Sequence, residues 1–204
     1  MIVIVDYGVG NLASVGNMLR KAGGDVTVSR DTGEILAADK LLLPGVGHFD
    51  HGMKMLNASG LREALDRFAL ELRRPVLGIC LGAQILGRSS EEGEAPGLGW
   101  IDMTCHRFEA MPGIRVPHMG WNQIVPKRPS PLLDQMAEDA RFYFVHSYRM
   151  ICAQSEDVLA TATHGVEFVC AVQRANIMGT QFHPEKSLRH GLALMRSFVE
   201  LQIP

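Results

Sequence analysis

The sequence has no excess of charge of either sign and no long apolar run. It contains 20 Lys and Arg against 22 Asp and Glu, a formal net charge of −2, so nothing favours general binding to nucleic acid or anionic lipid. Apolar stretches such as residues 76–81 are far shorter than the roughly 18 residues that a membrane-spanning helix needs. No basic segment precedes the apolar residues 2–5, so a secretory signal is not expected. These absences predict a cytoplasmic protein that binds neither membrane nor nucleic acid.

Cysteine is also scarce. The four cysteines are Cys80, Cys105, Cys152 and Cys170, and no two of them form the CxxC spacing typical of zinc and redox sites. A chain of 204 residues buries enough apolar surface to fold without disulfides. We therefore expect four free thiols, no metal and no cofactor.

The composition that is present, 47% hydrophobic and 21% charged, is that of a globular protein. No repeat, low-complexity tract or linker interrupts it, so residues 1–204 are predicted to form a single domain. In the first half, β-branched runs alternate with amphipathic helical segments, which predicts βαβ units around a mostly parallel sheet flanked by helices. The predicted strands are 2–5, 25–29, 40–43 and 76–79, and the predicted helices are 12–22, one between the second and third strands, 61–72 and 81–86.

Two of the predicted helices carry a continuous apolar face. Helical spacing within 61–72 puts one set of residues on the same side: Leu61, Ala64, Leu65, Phe68, Ala69 and Leu72. A last helix from Ser187, its predicted cap, to about Leu201 has a second such face: Leu188, Leu192, Met195, Phe198 and Val199.

After residue 96 the pattern changes to short apolar runs separated by Gly and Pro. The predicted strands there are 99–103, 115–116, 121–125, 141–146, 158–163, 167–173 and 177–182. The predicted fold class is therefore α/β, with a central mostly parallel sheet and an additional mixed or antiparallel β region in the second half.

The strongest chemical signal is Gly78-Ile79-Cys80-Leu81-Gly82, which lies between an apolar strand and a helical segment. The related G-x-Ser-x-G turn holds its nucleophile in a strained strand-to-helix bend, where small residues on both sides give the backbone room. A helix N-terminus also favours thiolate over thiol. The alternative is a small buried apolar residue, as free cysteine often is, but the two glycines favour Cys80 as a nucleophile.

A thiol nucleophile needs a base, and the base needs an orienting group. His183-Pro184-Glu185 follows the predicted strand 177–182 and is the best candidate among the eight histidines. Residues i and i+2 of an extended segment point to the same side, so Glu185 is predicted to orient His183 toward Cys80. The alternative is a solvated turn before a helix.

Acyl transfer also needs backbone donors for the oxyanion. One source is the N–H of Leu81 after the nucleophile. The other is Pro44-Gly45-Val46-Gly47, which ends the neighbouring strand at the same sheet edge; its two glycines make reorientation of the Val46 peptide cheap. The alternative here is an ordinary glycine-rich turn. Gly8-Val9-Gly10-Asn11 lacks the third glycine of a nucleotide-binding G-x-G-x-x-G loop.

The three segments 44–47, 78–82 and 183–185, in this order along the chain, resemble the motifs of the class I glutamine amidotransferases. They are similar in particular to those of the glutaminase subunits of imidazole glycerol phosphate synthase. The similarity runs from end to end and is carried by residues 44–49 (PGVGHF), 78–84 (GICLGAQ), 117–122 (PHMGWN), 143–148 (YFVHSY) and 181–187 (QFHPEKS). The turn around Cys80 (residues 78–82, the cysteine elbow) and the His-Pro-Glu segment are shared across the class. The segments PHMGWN and PGVG are typical of the subunit. Ala83 departs from the methionine expected there and leaves the nucleophile in place.

The resemblance implies hydrolysis of glutamine to glutamate and ammonia. Cys80 would form a γ-glutamyl thioester, His183 would move the proton, and Glu185 would orient the imidazole. The N–H groups of Val46 and Leu81 would form the oxyanion hole. By the same similarity, the residues that hold glutamine are Gly47, Gln84 and Ser147.

The resemblance also implies a partner, a (β/α)8 cyclase subunit that receives the ammonia in a heterodimer and uses it in histidine biosynthesis. Trp121, Tyr143 and Lys186 match positions that face this partner. From the residues alone, the two aromatics could equally belong to the core and Lys186 could be a solvated charge.

Three alternative functions remain open at this stage. Similar subunits supply ammonia for an acetamidino sugar of surface polysaccharides, and residues 4–12 are similar to those relatives as well. A stand-alone thiol hydrolase would use the same elbow without a glutamine-holding residue such as Gln84. A non-catalytic interaction subunit would not need Cys80, His183 and Glu185 together.

Overall fold

The computed structural model describes residues 1–109 and 111–202. The helices are α1 (Leu12–Lys21), α2 (Thr32–Ala37), α3 (Phe49–Ala58), α4 (Arg62–Asp66), α5 (Leu81–Gln84) and α6 (Leu188–Glu200). The strands are β1 (Ile2–Val5), β2 (Val26–Ser29), β3 (Lys40–Gly45), β4 (Val76–Cys80), β5 (Ser89–Ser90), β6 (Met103–Arg107), β7 (His118–Gln123), β8 (Val125–Pro126), β9 (Arg141–His146), β10 (Tyr148–Cys152), β11 (Val158–His164), β12 (Val166–Arg174) and β13 (Ile177–Thr180). The predicted domain 1–204 also includes residues 110, 203 and 204, which lie outside the described part.

Five strands form the parallel half of a large sheet, in the order β2-β1-β3-β4-β13. Alternate side chains of its strands enter two separate apolar layers. Val3 packs in the layer under α2, α3 and α4, whereas Ile4 packs with Leu19 and Phe198 of α1 and α6. Every residue of β1 and β4 is buried, because both faces of a parallel sheet are covered by helices. The predicted α/β architecture is confirmed.

The second half continues the same sheet with mostly antiparallel pairing. The long strand β12 pairs with β13, β11 and β10, and β10 continues to β6. A separate two-stranded antiparallel ribbon is formed by β7 and β9. The predicted mixed and antiparallel region is confirmed, and the ribbon lies beside the end of β13, where Tyr143 pairs with His183.

The helix predicted over 61–72 is present but is not a continuous α-helix. After α4, residues Arg67–Glu71 form a π-helical turn in which Leu72 N donates to Arg67 O at 2.9 Å. A π turn contains an extra residue, which rotates the following side chains away from the α-helical face. Leu72 is therefore 39% exposed, and its predicted place on one continuous apolar face was wrong.

Several other boundaries were also wrong. Residues 99–102 contain no strand and bend at 100–102, so the strand predicted at 99–103 begins only at Met103, as β6. No strand covers 115–116, and both β10 and α3 were missed. Ser187 does not cap α6 through its side chain, because its hydroxyl donates to His183 O at 2.6 Å. Leu188, predicted to lie on the apolar face of this helix, is 71% exposed.

No helix within the described ranges is both long enough and apolar enough to cross a membrane.

Candidate active site

The cysteine elbow lies where β3 and β4 end side by side. The register pairs Gly45 with Cys80, and Cys80 has φ 55° and ψ −112°, a strained conformation for any residue other than glycine. A Cβ on Gly78 would lie 2.5 Å from Gly82 O, and a Cβ on Gly82 would lie 1.8 Å from Leu43 O. Close backbone contact therefore requires glycine at both positions. The residue between them that adopts the strained conformation is Cys80.

His183 and Glu185 form a buried pair beside the elbow. His183 Nδ1 lies 2.7 Å from Glu185 Oε1, and both side chains are 2% exposed. The short segment Pro184–Lys186 is a 3₁₀ turn, so a turn rather than the extended backbone predicted from the sequence brings the pair together. His183 Nε2 has no hydrogen-bond partner among residues 1–109 and 111–202. The pair is thus a tethered imidazole with one free ring nitrogen, rather than a solvated turn.

The pKa of His183 is set by two opposing effects. Burial lowers the pKa, but the neighbouring Cys80 and Glu185 side chains outweigh burial and raise the pKa of His183 to about 9. A protonated imidazole between two groups that can each carry negative charge is the electrostatic arrangement that favours a thiolate.

A cavity of about 290 Å³ opens above Cys80. Eight of the eleven site and interface residues predicted from the sequence line it, and Trp121 and Tyr143 of the predicted interface do not: the eight are Val46, Gly47, Cys80, Leu81, Gln84, Ser147, His183 and Lys186. Glu185, which pairs with His183, is not among the lining residues. The structure therefore brings the predicted residues together around one space.

The cavity also contains residues that the sequence analysis missed. Glu92, His146 and Tyr148 line the cavity. Gln181 contacts the nucleophile directly, with its Nε2 3.7 Å from Cys80 Sγ. Glu92 is one of three acidic residues within 91–94, and nothing in the sequence distinguishes it from the other two. Gln181 stands in the quoted segment QFHPEKS, so its position beside His183 was a usable signal.

The glycines of the Pro44-Gly45-Val46-Gly47 segment have different roles. A Cβ on Gly45 would lie 2.5 Å from Gly82 N, so close contact with the elbow excludes any side chain at this position. Gly47 has φ +97°, and a Cβ at this position would meet no atom of the described residues within 4 Å. Reorientation of the Gly45–Val46 peptide, which carries the Val46 N–H, stays a prediction.

The three residues predicted to face a partner lie next to one another. Trp121 pairs with Tyr143 across β7 and β9, with 6.3 Å between the ring centroids. Lys186 Nζ lies 5.7 Å from the Tyr143 ring centre. Trp121 is 46% exposed, which overturns the alternative that it is a core residue.

A strained thiol, a tethered imidazole and a cavity at the edge of a parallel sheet are the features that thiol-dependent acyl transfer on an α/β fold requires. The model of the family described as glutamine amidotransferase class-I matches residues 3–201. The chain belongs to this family.

Within the family, the chain is similar over its whole length to subunits named HisH. It is 51% identical to imidazole glycerol phosphate synthase subunit HisH 2 of Pseudomonas aeruginosa, over 98% of this chain and 100% of the relative. It is 43% identical to imidazole glycerol phosphate synthase hisHF of Arabidopsis thaliana, over 100% of this chain but 35% of the plant protein. The fold is also similar to the structure of PurLQS from Thermotoga maritima, with a TM-score of 0.74, 17% identity and coverage of 98% and 97% of the two chains.

Proposed function

We propose that this protein is the glutaminase subunit of an imidazole glycerol phosphate synthase. It hydrolyses glutamine to glutamate and ammonia, and the ammonia passes to a cyclase subunit in histidine biosynthesis. The names of the HisH relatives support the pathway. The observation that carries the chemistry is the placement of Cys80 and the buried pair of His183 and Glu185 at one cavity.

In the first half of the reaction, the Cys80 sulfur attacks the side-chain amide carbon of glutamine. The thiol proton has moved to His183 Nε2, the ring nitrogen that has no other partner. When the tetrahedral intermediate collapses, the C–N bond breaks and His183 gives its proton to the leaving ammonia. A γ-glutamyl thioester remains on Cys80.

In the second half, water attacks the thioester carbonyl. The neutral His183 accepts a proton from this water, the C–S bond breaks, and glutamate leaves. Glu185 holds Nδ1 of the same ring at 2.7 Å, so Nε2 keeps one direction while it exchanges protons in both halves. The pKa of His183, raised to about 9, allows its imidazole to hold the transferred proton at neutral pH.

Two backbone N–H groups are proposed to stabilise the oxyanion of each half-reaction, those of Leu81 and Val46. Leu81 follows the nucleophile at the start of α5, and Val46 follows Gly45, the register partner of Cys80. Donors fixed before the reaction contribute most of the stabilisation in sites of this kind.

The cavity is suited to a free amino acid. Its volume of about 290 Å³ is at the lower end of the range for small-ligand sites. The Glu92 carboxylate on its wall complements an α-ammonium group, and Phe49 N donates to Glu92 Oε2 at 2.8 Å, which holds the carboxylate in place. Gly47, Gln84 and Ser147 are proposed to complete the contacts to glutamine, without metal or cofactor.

The proposed partner is the cyclase subunit, bound as a heterodimer through Trp121, Tyr143 and Lys186. The plant relative supports a partner, because this chain matches about a third of a longer protein that is named as a synthase. We propose that the chain acts as a single domain in the cytoplasm, without binding nucleic acid or membrane.

The test of the function is reconstitution with the cyclase subunit from the same organism. Glutamine and the phosphoribulosyl nucleotide should yield imidazole glycerol phosphate, the aminoimidazole carboxamide ribotide and glutamate. Glutamate formation without the imidazole product would contradict the histidine pathway and favour another acceptor, such as the sugar of the acetamidino pathway. Hydrolysis of peptides in preference to glutamine would identify a stand-alone thiol hydrolase.

A further inference from the structure

Gln181 is a fully buried polar residue in direct contact with the nucleophile. It follows β13, in which Thr180 pairs with Ile79 of β4, so Gln181 and Cys80 leave adjacent parallel strands together. The side chain of Gln181 has no exposed surface, and its Nε2 lies 3.7 Å from Cys80 Sγ. A buried side-chain amide beside a reactive sulfur requires an explanation, because burying a polar group is costly unless it is hydrogen-bonded.

The amide of Gln181 has a defined orientation. Gln84 Nε2 donates to Tyr148 O at 3.4 Å and to Gln181 Oε1 at 3.0 Å. A backbone carbonyl can only accept a hydrogen bond, so the Gln84 side chain must present its NH₂ group on this side. Gln181 consequently presents its oxygen to Gln84 and its NH₂ group to Cys80.

The carbonyl that fixes this orientation, Tyr148 O, is itself held by His146, which is in turn held by His118. His146 Nδ1 donates to Tyr148 O at 2.7 Å, and His146 Nε2 lies 3.0 Å from His118 Nδ1. Burial lowers the pKa of His146 to about 3 and, with the charge of His164, lowers the pKa of His118 to about 4. Both rings are therefore neutral at pH 7, and each has one donor and one acceptor in a fixed direction.

We propose that Gln181 is a further catalytic residue, which stabilises the thiolate form of Cys80 through an N–H donated to its sulfur. A thiol sulfur accepts hydrogen bonds weakly, whereas a thiolate accepts them strongly. The contact therefore favours the charged form over the neutral one. The inference rests on the proposed function in one respect only, that the Cys80 thiolate is the nucleophile for glutamine.

The direct test is the pH dependence of Cys80 alkylation by iodoacetamide in the folded chain. The rate is followed by mass spectrometry of the peptide that contains Cys80. Burial raises the pKa of Cys105, Cys170 and Cys152, the last to about 12, so these thiols react slowly. A Cys80→Ser variant measures their residual contribution.

Two variants remove the donor in different ways. Gln181→Met keeps a side chain of similar length without an N–H, and Gln181→Asn keeps an amide that is one methylene too short to reach the sulfur. The midpoint of alkylation should rise by about one pH unit in both. Gln173→Met is the matched control, because the Gln173 amide is bonded to Ser130 and Ala175 and does not line the cavity. Its midpoint should equal that of the wild type.

The kinetic counterpart is a loss of about tenfold in glutaminase kcat for Gln181→Met, with little change in KM. Unchanged alkylation midpoints in both Gln181 variants would overturn the proposal, and so would an equal shift in Gln173→Met. The two claims remain separable. A wild-type chain that does not hydrolyse glutamine with its partner would refute the proposed function, whereas the alkylation midpoints would still decide the role of Gln181.

Discussion

The parallel and antiparallel halves of the sheet have different tasks. The parallel half ends in Cys80 and, after β13, in the pair of His183 and Glu185, so it holds the groups that are proposed to react. The antiparallel half supplies Tyr148 to the cavity wall and, on the β7–β9 ribbon, the exposed Trp121. Buried parallel strands are rigid supports, whereas a two-stranded ribbon has few contacts of its own. Substitutions in the first half should therefore affect chemistry, and those in the second should affect binding and activation.

The largest effect is expected for Cys80→Ala. Glutamine-dependent synthesis by the reconstituted complex should be abolished, because no other group in the cavity can form the thioester. Ammonia-dependent synthesis should survive, since the cyclase then receives its substrate from solution. Both rates are measured with glutamine and with ammonium salt.

Cys152→Ala is the control, since Cys152 does not line the cavity and its replacement should leave both rates unchanged. Glutamine turnover by Cys80→Ala within about tenfold of the wild type would exclude Cys80 as the nucleophile.

His183→Asn should lower the glutaminase rate on the order of 10²-fold or more, because the proton must then move without a positioned base. The rate is measured as glutamate released by the complex at saturating glutamine. His51→Asn, an exposed substitution on α3, serves as the control. Near-normal turnover by His183→Asn would support the alternative that His183-Pro184-Glu185 is only a turn.

In the antiparallel half, Trp121→Ala should weaken binding of the cyclase subunit by roughly tenfold or more, the effect typical of an aromatic residue at the centre of an interface. The dissociation constant is measured by calorimetry with the purified partner. As the control, Leu70→Ala removes a similarly exposed apolar side chain from the π-helical turn. This variant should not change the dissociation constant. Equal affinities for all three proteins would remove the β7–β9 ribbon from the interface.

The last effect concerns stability below neutral pH and not activity. The pKa of His146 is lowered to about 3 in the folded protein, so the unfolded chain binds the extra proton below its usual pKa of about 6.5. The contribution of neutral His146 to the free energy of unfolding is therefore complete above a pH of about 6.5. It falls by about 1.4 kcal/mol for each pH unit below that value.

The comparison is made on free energies of unfolding by urea at pH 7 and pH 5, for wild type and His146→Gln. The wild type should lose more stability between the two pH values than the variant. An equal loss would show that His146 is not held neutral. His183 has the opposite sign, because its pKa is raised to about 9 and its contribution is lost as the pH rises through that value.

The two halves also differ in how well the sequence predicted them. β1 and β4 were predicted almost residue by residue, because strands buried on both faces are continuous apolar runs. The elbow was predictable because its glycines are required by backbone contact. β10 was missed because a strand with Tyr148 and Arg149 at its start has no such run, and its part in the site is played by a backbone carbonyl, which leaves no trace in residue type.

Other failures come from tertiary contacts. Glu92 was not predicted because its place in the cavity depends on the chain between β5 and β6 and not on any local pattern. Leu72 was misplaced because the π-helical turn changes the helical phase. Ser187 was predicted as a cap, but it joins the ribbon to the catalytic pair, with Tyr143 N donating to Ser187 Oγ at 2.9 Å.

The central claim is that docking on the antiparallel half makes the site on the parallel half productive. Val46 lies between two glycines, Gly45 and Gly47, and the conformational freedom of glycine lets the Gly45–Val46 peptide, which carries the Val46 N–H, change direction at little cost. A partner contact that shifts this equilibrium by a few kcal/mol changes turnover by about 10²-fold or more. Without the partner, the chain would then hydrolyse little glutamine.

The most direct test is glutaminase kcat in three states: the chain alone, the chain with the cyclase subunit, and the complex with an acceptor analogue. The rate should be lowest for the chain alone and highest with both partner and acceptor analogue. Lys186→Ala, which removes the cation above the Tyr143 ring, should reduce the rate of the full complex. Equal kcat values in all three states would contradict the account.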